Sequence, residues 1–413
     1  MRGIALLIAT IFLVAAPHVT ARADDGPVED WPKWLGPNGT GVSRATNLAD
    51  QWPQGGPKRL WGKKVGLGHS SPVAVGGRVY LFHLAGNEDH LTCFEADSGK
   101  VVWDQSYRGG WTGSYKGTRA TPLIEKDANR IYTYGGAGHL VCRELDTGKP
   151  VWAFDVLKST GNRPLEWGQA SSPLLVGNIL YVQAGEGGPV AVAVDKHAGR
   201  PLWQSQARDK AGYAHIIQVD ADGAPQLVVF AGKAVYGMDP KDGKTLWREP
   251  WQTSYDVNAA TPVYRENHLF VSSEYNHGCM MLKLDGKGAK KLWERKDVQL
   301  KFQPPILDGD HLYANSAGTL KCMSWPDGKI VWQATEKKMR LGPGGSMLRV
   351  GNKLITLSEQ GKLSLVHAEP QGLKLLAQAD LFDGSEIWST PLLYDGKLYA
   401  KGQDEFVCLD VSR

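Results

Sequence analysis

Six carboxylates recur at one place in this sequence. Glu95, Glu144, Asp195, Asp239 and Asp285 each stand eight residues before a tryptophan, and Asp410 holds the same place in a last, incomplete copy. Repeated carboxylates could serve as acids and bases or hold a cation. Their setting gives them another task. Each closes a hydrophobic run just before a tight turn, where a carboxylate accepts bonds from turn N–H groups. They are expected to be structural, and no catalytic residue is assigned.

Other chemical signatures are thin. The 11 histidines are scattered, and none makes a ligand-spaced pair on a strand face, so no metal site is expected. Asp220-Ala-Asp-Gly223 begins like a calcium loop but lacks the later ligands and the closing Glu, and it reads as a hairpin turn. Gly185-Glu-Gly-Gly188 and Gly342-Pro-Gly-Gly345 are glycine-rich but lack the lysine of a phosphate loop.

The elements that carry these residues are repeats. Asp97-Ser-Gly-Lys-Val-Val-Trp103 recurs as Asp146-Thr-Gly-Lys-Pro-Val-Trp152, Asp242-Gly-Lys-Thr-Leu-Trp247 and Asp327-Gly-Lys-Ile-Val-Trp332, with looser copies ending at Trp203 and Trp293. A period of about 40–50 residues marks a repeat architecture. Each repeat reads as four short strands with glycine turns, the grammar of a propeller blade. First strands begin at Ser71-Pro72, Thr121-Pro122, Ser172-Pro173, near His215, at Thr261-Pro262 and Pro304-Pro305, near Ser346, and at Thr390-Pro391. The predicted fold is therefore all-β, an eight-bladed propeller of four-stranded antiparallel blades. The seventh copy is degenerate, with Leu375 at the tryptophan position, and the eighth stops at Asp410. Its missing strand is expected from Pro57-Lys-Arg-Leu-Trp61 at the front, so residues 57–64 should complete the last blade and close the ring. Trp61, Trp103, Trp152, Trp203, Trp247, Trp293 and Trp332 are expected to pack between blades.

In a propeller the loops entering the innermost strands surround one mouth of the channel, a common binding place. The residues there are His69, Arg119, Gln169, His215, Asn258, Gln303, Arg340 and Trp388, and these are the ligand-binding candidates. Trp111, Tyr115, Lys116, Glu166, Trp167, Tyr213, Tyr255 and Asp256 lie nearby in sequence. Polar and aromatic side chains converging on an axis suit a planar, anionic or sugar-like ligand.

Residues 1–23 read as a secretory signal, with Arg2, an apolar run from Ile4 to Ala16, and Ala21-Arg22-Ala23 as the cleavage site. The expectation is an exported protein, periplasmic or secreted, soluble after cleavage near Ala23. No later stretch is long enough to span a membrane, and no cysteine near the cleavage site offers a lipid anchor. The formal charge of +4 falls to +2 without the signal, and there is no basic block, which argues against nucleic acid. Residues 24–56, with Trp31, Trp34 and Trp52, are read as an extended lead pinned to the propeller of 57–413 by its aromatic side chains. Cys93, Cys142 and Cys322 each lie ten residues before a motif tryptophan, and Cys408 matches them, where other copies carry Ala193 or Gly237. That pattern asks for a small buried residue and predicts free thiols; Cys279 falls outside the register.

The pattern of a small residue, an acid, Thr/Ser/Asp-Gly-Lys and Trp resembles the pyrroloquinoline-quinone-like propeller repeat, from about Pro57 to the end. The opening Trp31-Pro-Lys-Trp34-Leu-Gly-Pro-Asn38 resembles the lead of secreted bacterial members. Two branches of that superfamily are the quinone-dependent alcohol and sugar dehydrogenases and the propeller lipoprotein of outer-membrane barrel assembly. The resemblance implies eight blades with the motif tryptophan between them. The dehydrogenase branch implies pyrroloquinoline quinone with calcium and a catalytic base. Glu166, Asp256 and Asn258 are of the right type but lie in no family motif, and the chain lacks adjacent cysteines. The functional expectation is a non-catalytic, monomeric binding or scaffold propeller for a protein, peptide or small-molecule partner, with no cofactor required. The alternatives are a quinone and calcium dependent dehydrogenase and a carbohydrate-binding propeller.

Overall fold

The structure is a computed structural model and describes residues 28–413. The secretory segment predicted at 1–23 lies outside the described residues. Eight antiparallel blades of four strands form the ring, and the sheet of blade seven gains a fifth, parallel strand from the lead. Their innermost strands are Val73–Val75, Leu123–Glu125, Leu174–Val176, Ile217–Ala221, Val263–Arg265, Ile306–Asp308, Ser346–Val350 and Leu392–Tyr394. These fall where the Ser/Thr-Pro and related signals placed them. Proline at the start of an inner strand costs no ladder bond and disfavours helix in the residue before it. Among the described residues no helix is long and apolar enough to cross a membrane.

The ring closes as expected. Lys58–Lys64 pairs antiparallel with Glu405–Asp410 and becomes the outer strand of blade eight, with Trp61 opposite Cys408. Blade seven keeps four full strands although its motif is lost; Leu375 stands opposite Val366. All five cysteines are free and buried. Cys279 lies opposite Arg295, whereas Met281 occupies the place opposite Trp293, so in blade five a methionine fills the small-residue position.

Every outer strand carries a β-bulge just before its tryptophan; in blade seven the bulged residue is Leu376, so Ala377, and not Leu375 as expected, holds the tryptophan place. The extra residue is the apolar one preceding the tryptophan. Val102, Val151, Leu202, Leu292 and Val331 are therefore exposed, while the ring beside each turns inward. A bulge also twists the open edge of the blade away from pairing with another chain.

The tryptophan meets the turn of the next blade. A Cβ on Gly99 would lie 2.6 Å from the Trp61 ring, and the same clash recurs for Gly148 on Trp103, Gly199 on Trp152, Gly243 on Trp203 and Gly328 on Trp293. These glycines also have φ of 64–71°, so the hairpin and the ring both require the missing side chain. The indole N–H then donates to a carbonyl of that next turn: Trp61 to Ala96, Trp152 to Lys196, Trp203 to Pro240, Trp293 to Pro326 and Trp332 to Glu369, at 2.7–3.0 Å. Trp247 reaches blade five through a relay, donating to the Gln226 amide oxygen at 2.6 Å while the Gln226 nitrogen donates to Asp285 O at 2.9 Å. Trp61, Trp103 and Trp247 are buried; Trp152, Trp203, Trp293 and Trp332 keep one edge in solvent.

The recurrent acids lie at these turns. Asp195, Asp239 and Asp285 accept backbone N–H bonds from the turn, Glu95 and Glu144 accept the hydroxyls of Ser98 and Thr147, and Asp410 accepts from Ser412. Turns between third and fourth strands lie on the face opposite the channel mouth, so these carboxylates are topologically removed from it.

Two substitutions separate the ring contact from backbone strain. Gly177 has φ 57° and nothing near its missing Cβ, so Gly177→Ala should cost about 1–2 kcal/mol for the left-handed backbone alone. Gly99→Ala should cost a further ~1–3 kcal/mol because it overpacks Trp61. Urea denaturation of the two variants measures the difference, and equal losses would mean that the Trp–Gly contact does not hold the blades together.

Candidate functional site

The channel mouth is organised by a belt of hydrogen bonds. The backbone N–H of the residue opening one inner strand donates to the side chain opening the next. Thr390 donates to Ser71 Oγ (2.9 Å), Ser71 to Thr121 Oγ1 (3.2 Å) and Thr121 to Ser172 Oγ (2.7 Å). Ser172 donates to His215 Nδ1 (3.0 Å), and His215 to Thr261 Oγ1 (3.1 Å). This explains why blade four can lack the Ser/Thr-Pro signal: the His215 ring replaces the hydroxyl acceptor. The belt stops at blade six, where Pro304 offers no acceptor side chain. Gln303 bridges that gap. Its amide oxygen accepts from the Thr390 hydroxyl at 2.9 Å, and its nitrogen donates to Trp388 O at 3.3 Å.

Inside the belt lies a cavity of about 980 Å³, counting the space at its open mouth. Five of the eight predicted candidates line it: His69, Arg119, His215, Gln303 and Trp388. Tyr115, Trp167 and Tyr213, expected nearby, line it too. The other three candidates do not come together there. The Asn258 side chain is sealed, its nitrogen donating to Ala231, Gly232 and Trp251 carbonyls and its oxygen accepting from Ser273. Gln169 is buried, 1 % exposed, behind the lining. Arg340 is exposed and donates to the Thr319 hydroxyl.

Sequence reasoning missed Tyr275, Lys301 and Phe302, which also line the cavity, as does Trp34, which was expected to pin the lead to the propeller. Lys301 and Phe302 directly precede Gln303, so a wider window at that loop finds them. Tyr275 comes from the loop between the second and third strands of blade five, which reaches the same face. Trp34 belongs to the lead. Trp31 and Trp52 are buried as expected. The lead crosses the inner strands, bonding to Ala74 and Ile124 and pairing Val42–Ser43 parallel with Arg349 and Val350. This carries Trp34 into the channel, where it stacks on His215 with centroids 3.8 Å apart and forms the cavity floor.

The charges are one-sided. His215 accepts at Nδ1, so its proton sits on Nε2 and the ring is neutral; burial pushes its pKa down to about 3. His69 leans on Trp388 at 4.5 Å, and burial, with Arg119 and Lys401, pushes it down to about 3 as well. Arg119 donates to the carbonyls of Gly117, Ser114 and Tyr115; burial lowers its pKa to about 10, which leaves it charged at neutral pH. The Lys301 ammonium lies over Phe302 at 5.1 Å and Trp388 at 5.6 Å. Among the described residues no Asp or Glu lines the cavity. Beside it, wholly buried Lys401 ties blade eight to blade one by donating to Gly68, Gly402 and Gln403 carbonyls at 2.7–3.0 Å.

A family profile described as outer membrane protein assembly factor BamB matches residues 88–334. The chain belongs to this family. No curated protein matches it. Among solved structures it is similar to BamB from Moraxella catarrhalis, at 12% identity and TM-score 0.61, over 85% of this chain and 96% of that one. It is also similar to a quinohemoprotein alcohol dehydrogenase from Comamonas testosteroni, at 14% identity and TM-score 0.66, over 95% and 82%. A europium-containing methanol dehydrogenase matches at 14% identity and TM-score 0.54, over 90% and 89%. At these identities the shared property is the fold, a pyrroloquinoline-quinone-like propeller.

The cavity can be tested against the cofactor of the dehydrogenases. Calcium under a quinone needs several oxygen ligands, carboxylates among them. Glu166 is exposed, Asp256 accepts from Gln252 at 2.8 Å, and Asn258 is sealed, so the three residues of suitable type do not converge. Among the described residues no group of three or more His, Cys, Asp or Glu could hold a metal ion. The residues present do not fit a calcium-bound quinone.

The carboxylate that acts on Arg119 is Asp89, which is wholly buried and outside the cavity lining. Tyr107 donates to one of its oxygens at 3.1 Å; the other has no partner among the described residues. Burial raises its pKa to about 6, the tyrosine bond opposing. A folded pKa above the unfolded one means that stability is lost as pH rises from about 4 to about 6 and stays lost above. Asp89→Asn removes that penalty. Relative to wild type it should gain about 2–3 kcal/mol between pH 4 and pH 7.5, read from denaturation at both values. An unchanged difference would mean that folding leaves the Asp89 pKa where it is in the unfolded chain.

Proposed function

We propose that this chain is an exported, non-catalytic propeller that binds a ligand or partner at its channel mouth. One observation carries this reading. The cavity is lined by seven aromatic residues and two cations, with no carboxylate. Stacking surfaces and fixed charges bind; they do not move protons or donate electron pairs to a substrate. The two histidines are the only neutral bases at hand. A base with a pKa near 3 is far from the value at which general-base catalysis is efficient at neutral pH. The expected signal segment at residues 1–23 supports export to the periplasm or beyond.

A protein or peptide partner on the same face is supported by Tyr115 and Tyr255, whose rings are 45% and 59% exposed at the rim. Large exposed tyrosines are anchors in protein interfaces. It also accords with membership of a family described as an assembly factor. The same face can therefore take a small ligand in the cavity and a partner across the rim.

The enzymatic alternative has a direct test. Purified mature protein would be incubated with pyrroloquinoline quinone, with and without calcium, and assayed for dye-linked oxidation of alcohols and sugars. The expected result is no calcium-dependent uptake and no dye reduction above a heat-denatured control. Calcium-dependent turnover would replace the binding reading with a dehydrogenase.

A further inference from the structure

An aromatic box is ordinarily a site for a cation. In this cavity the cation is already supplied by the protein. The Lys301 ammonium covers Phe302 and Trp388, and among the described residues it makes no ion pair or hydrogen bond. Arg119 is satisfied only by backbone carbonyls. Asp89 acts on Arg119 and Glu274 on Lys301 from outside the lining, but neither carboxylate pairs directly with its cation, so a ligand oxyanion can supply the direct contact that both cations lack.

The leftover hydrogen-bonding capacity points the same way. His215 keeps Nε2–H because Nδ1 accepts from Ser172. The Trp388 indole N–H and the Tyr213 hydroxyl, both buried in the wall, have no acceptor among the described residues. The Gln303 amide, whose oxygen could have accepted from a ligand, is engaged at both ends. Donors remain and carboxylate or amide acceptors do not, which disfavours a sugar, since its hydroxyl protons need acceptors. The walls are flat. Trp34 and His215 make a stacked floor. Tyr115 and Tyr275 line the cavity from backbones at φ 52° and 63°, the left-handed region that a bulky residue occupies only when its surroundings impose it.

We infer that the mouth cavity takes a flat aromatic carboxylate, its ring stacked among the aromatic side chains and its carboxylate held by Lys301 and Arg119 without a metal ion. This rests on the reading of the cavity as a binding site. The chemistry is charge-assisted hydrogen bonding to an oxyanion next to a π-surface. Specificity comes from the donors, because a neutral isostere leaves the two cations unpaired.

The test uses mature full-length protein and three probes of one shape: naphthalene-2-carboxylate, naphthalene-2-carboxamide and 2-naphthylmethylamine. Calorimetry gives their affinities with and without EDTA. The carboxylate should bind at least about tenfold more tightly than the amide, the amine should be weakest, and EDTA should change nothing. Lys301→Gln should weaken the carboxylate about tenfold and leave the amide unchanged, and Lys301→Arg should restore most of the loss. Rising salt should weaken the carboxylate and not the amide in the wild-type protein, a readout independent of any variant. Amide binding equal to carboxylate, or tighter amine binding, would refute an anion site while keeping a binding cavity. Failure of all three probes to bind folded protein would refute both.

Discussion

The ring depends on one contact repeated around it, an indole pressed onto a glycine of the neighbouring blade. A blade alone is a small twisted sheet with two apolar faces and cannot bury them unaided. The tryptophan fills the wedge between adjacent sheets, and its N–H satisfies a turn carbonyl there. The glycine is required twice, for a left-handed hairpin and for the space the ring takes. The bulge before the tryptophan rotates that ring from the open edge into the joint. Three local features, turn, bulge and small partner, thus become one interblade fastening. Not every joint keeps all of them: the Trp103 N–H has no acceptor among the described residues, Gln226 relays the bond at the joint of blades four and five, and Trp52 of the lead joins the apolar cluster of blades seven, eight and one.

A second fastening works at smaller radius. The Ser/Thr-Pro starts of the inner strands hold each other through backbone-to-hydroxyl bonds, and His215 is a member of that belt. This gives the histidine two tasks. Its Nδ1 completes the scaffold, which fixes the tautomer, and its other edge faces the cavity. The belt is interrupted at blades six and seven, where Gln303 crosses the gap and Lys301 and Phe302 come in beside it. The asymmetry of the site follows from an asymmetry in the repeat.

The separation of faces explains why the most conspicuous chemistry in the chain has no part in the site. The recurrent carboxylates cap turns on one face, and the cavity opens on the other. The mouth holds aromatic rings, neutral histidines and cations. Membership of the BamB family and likeness to quinoprotein folds set the architecture, while the character of the mouth comes from residues outside the repeat motif.

The sequence by itself determined the blade count, the position of every inner strand, the closure by residues 58–64 and the fate of the cysteines. All of these follow from local rules with a fixed period: turn glycines, alternation, and a bulky ring at constant spacing. It also pointed to eight of the lining residues, five as candidates and three as their neighbours, because loops entering inner strands must surround the axis. Only the tertiary structure decided the rest. Asn258 and Gln169 sit at the same loop position as His69, yet Asn258 is tied to buried carbonyls and Gln169 is buried behind the lining, which no spacing rule reports. Tyr275 reaches the mouth from the other class of loop on that face. Trp34 becomes the floor because the lead threads across the inner strands of several blades, as far along the chain as Arg349 and Val350. A site on the axis of a ring is assembled from every blade, so its composition depends on long-range placement that local pattern does not encode.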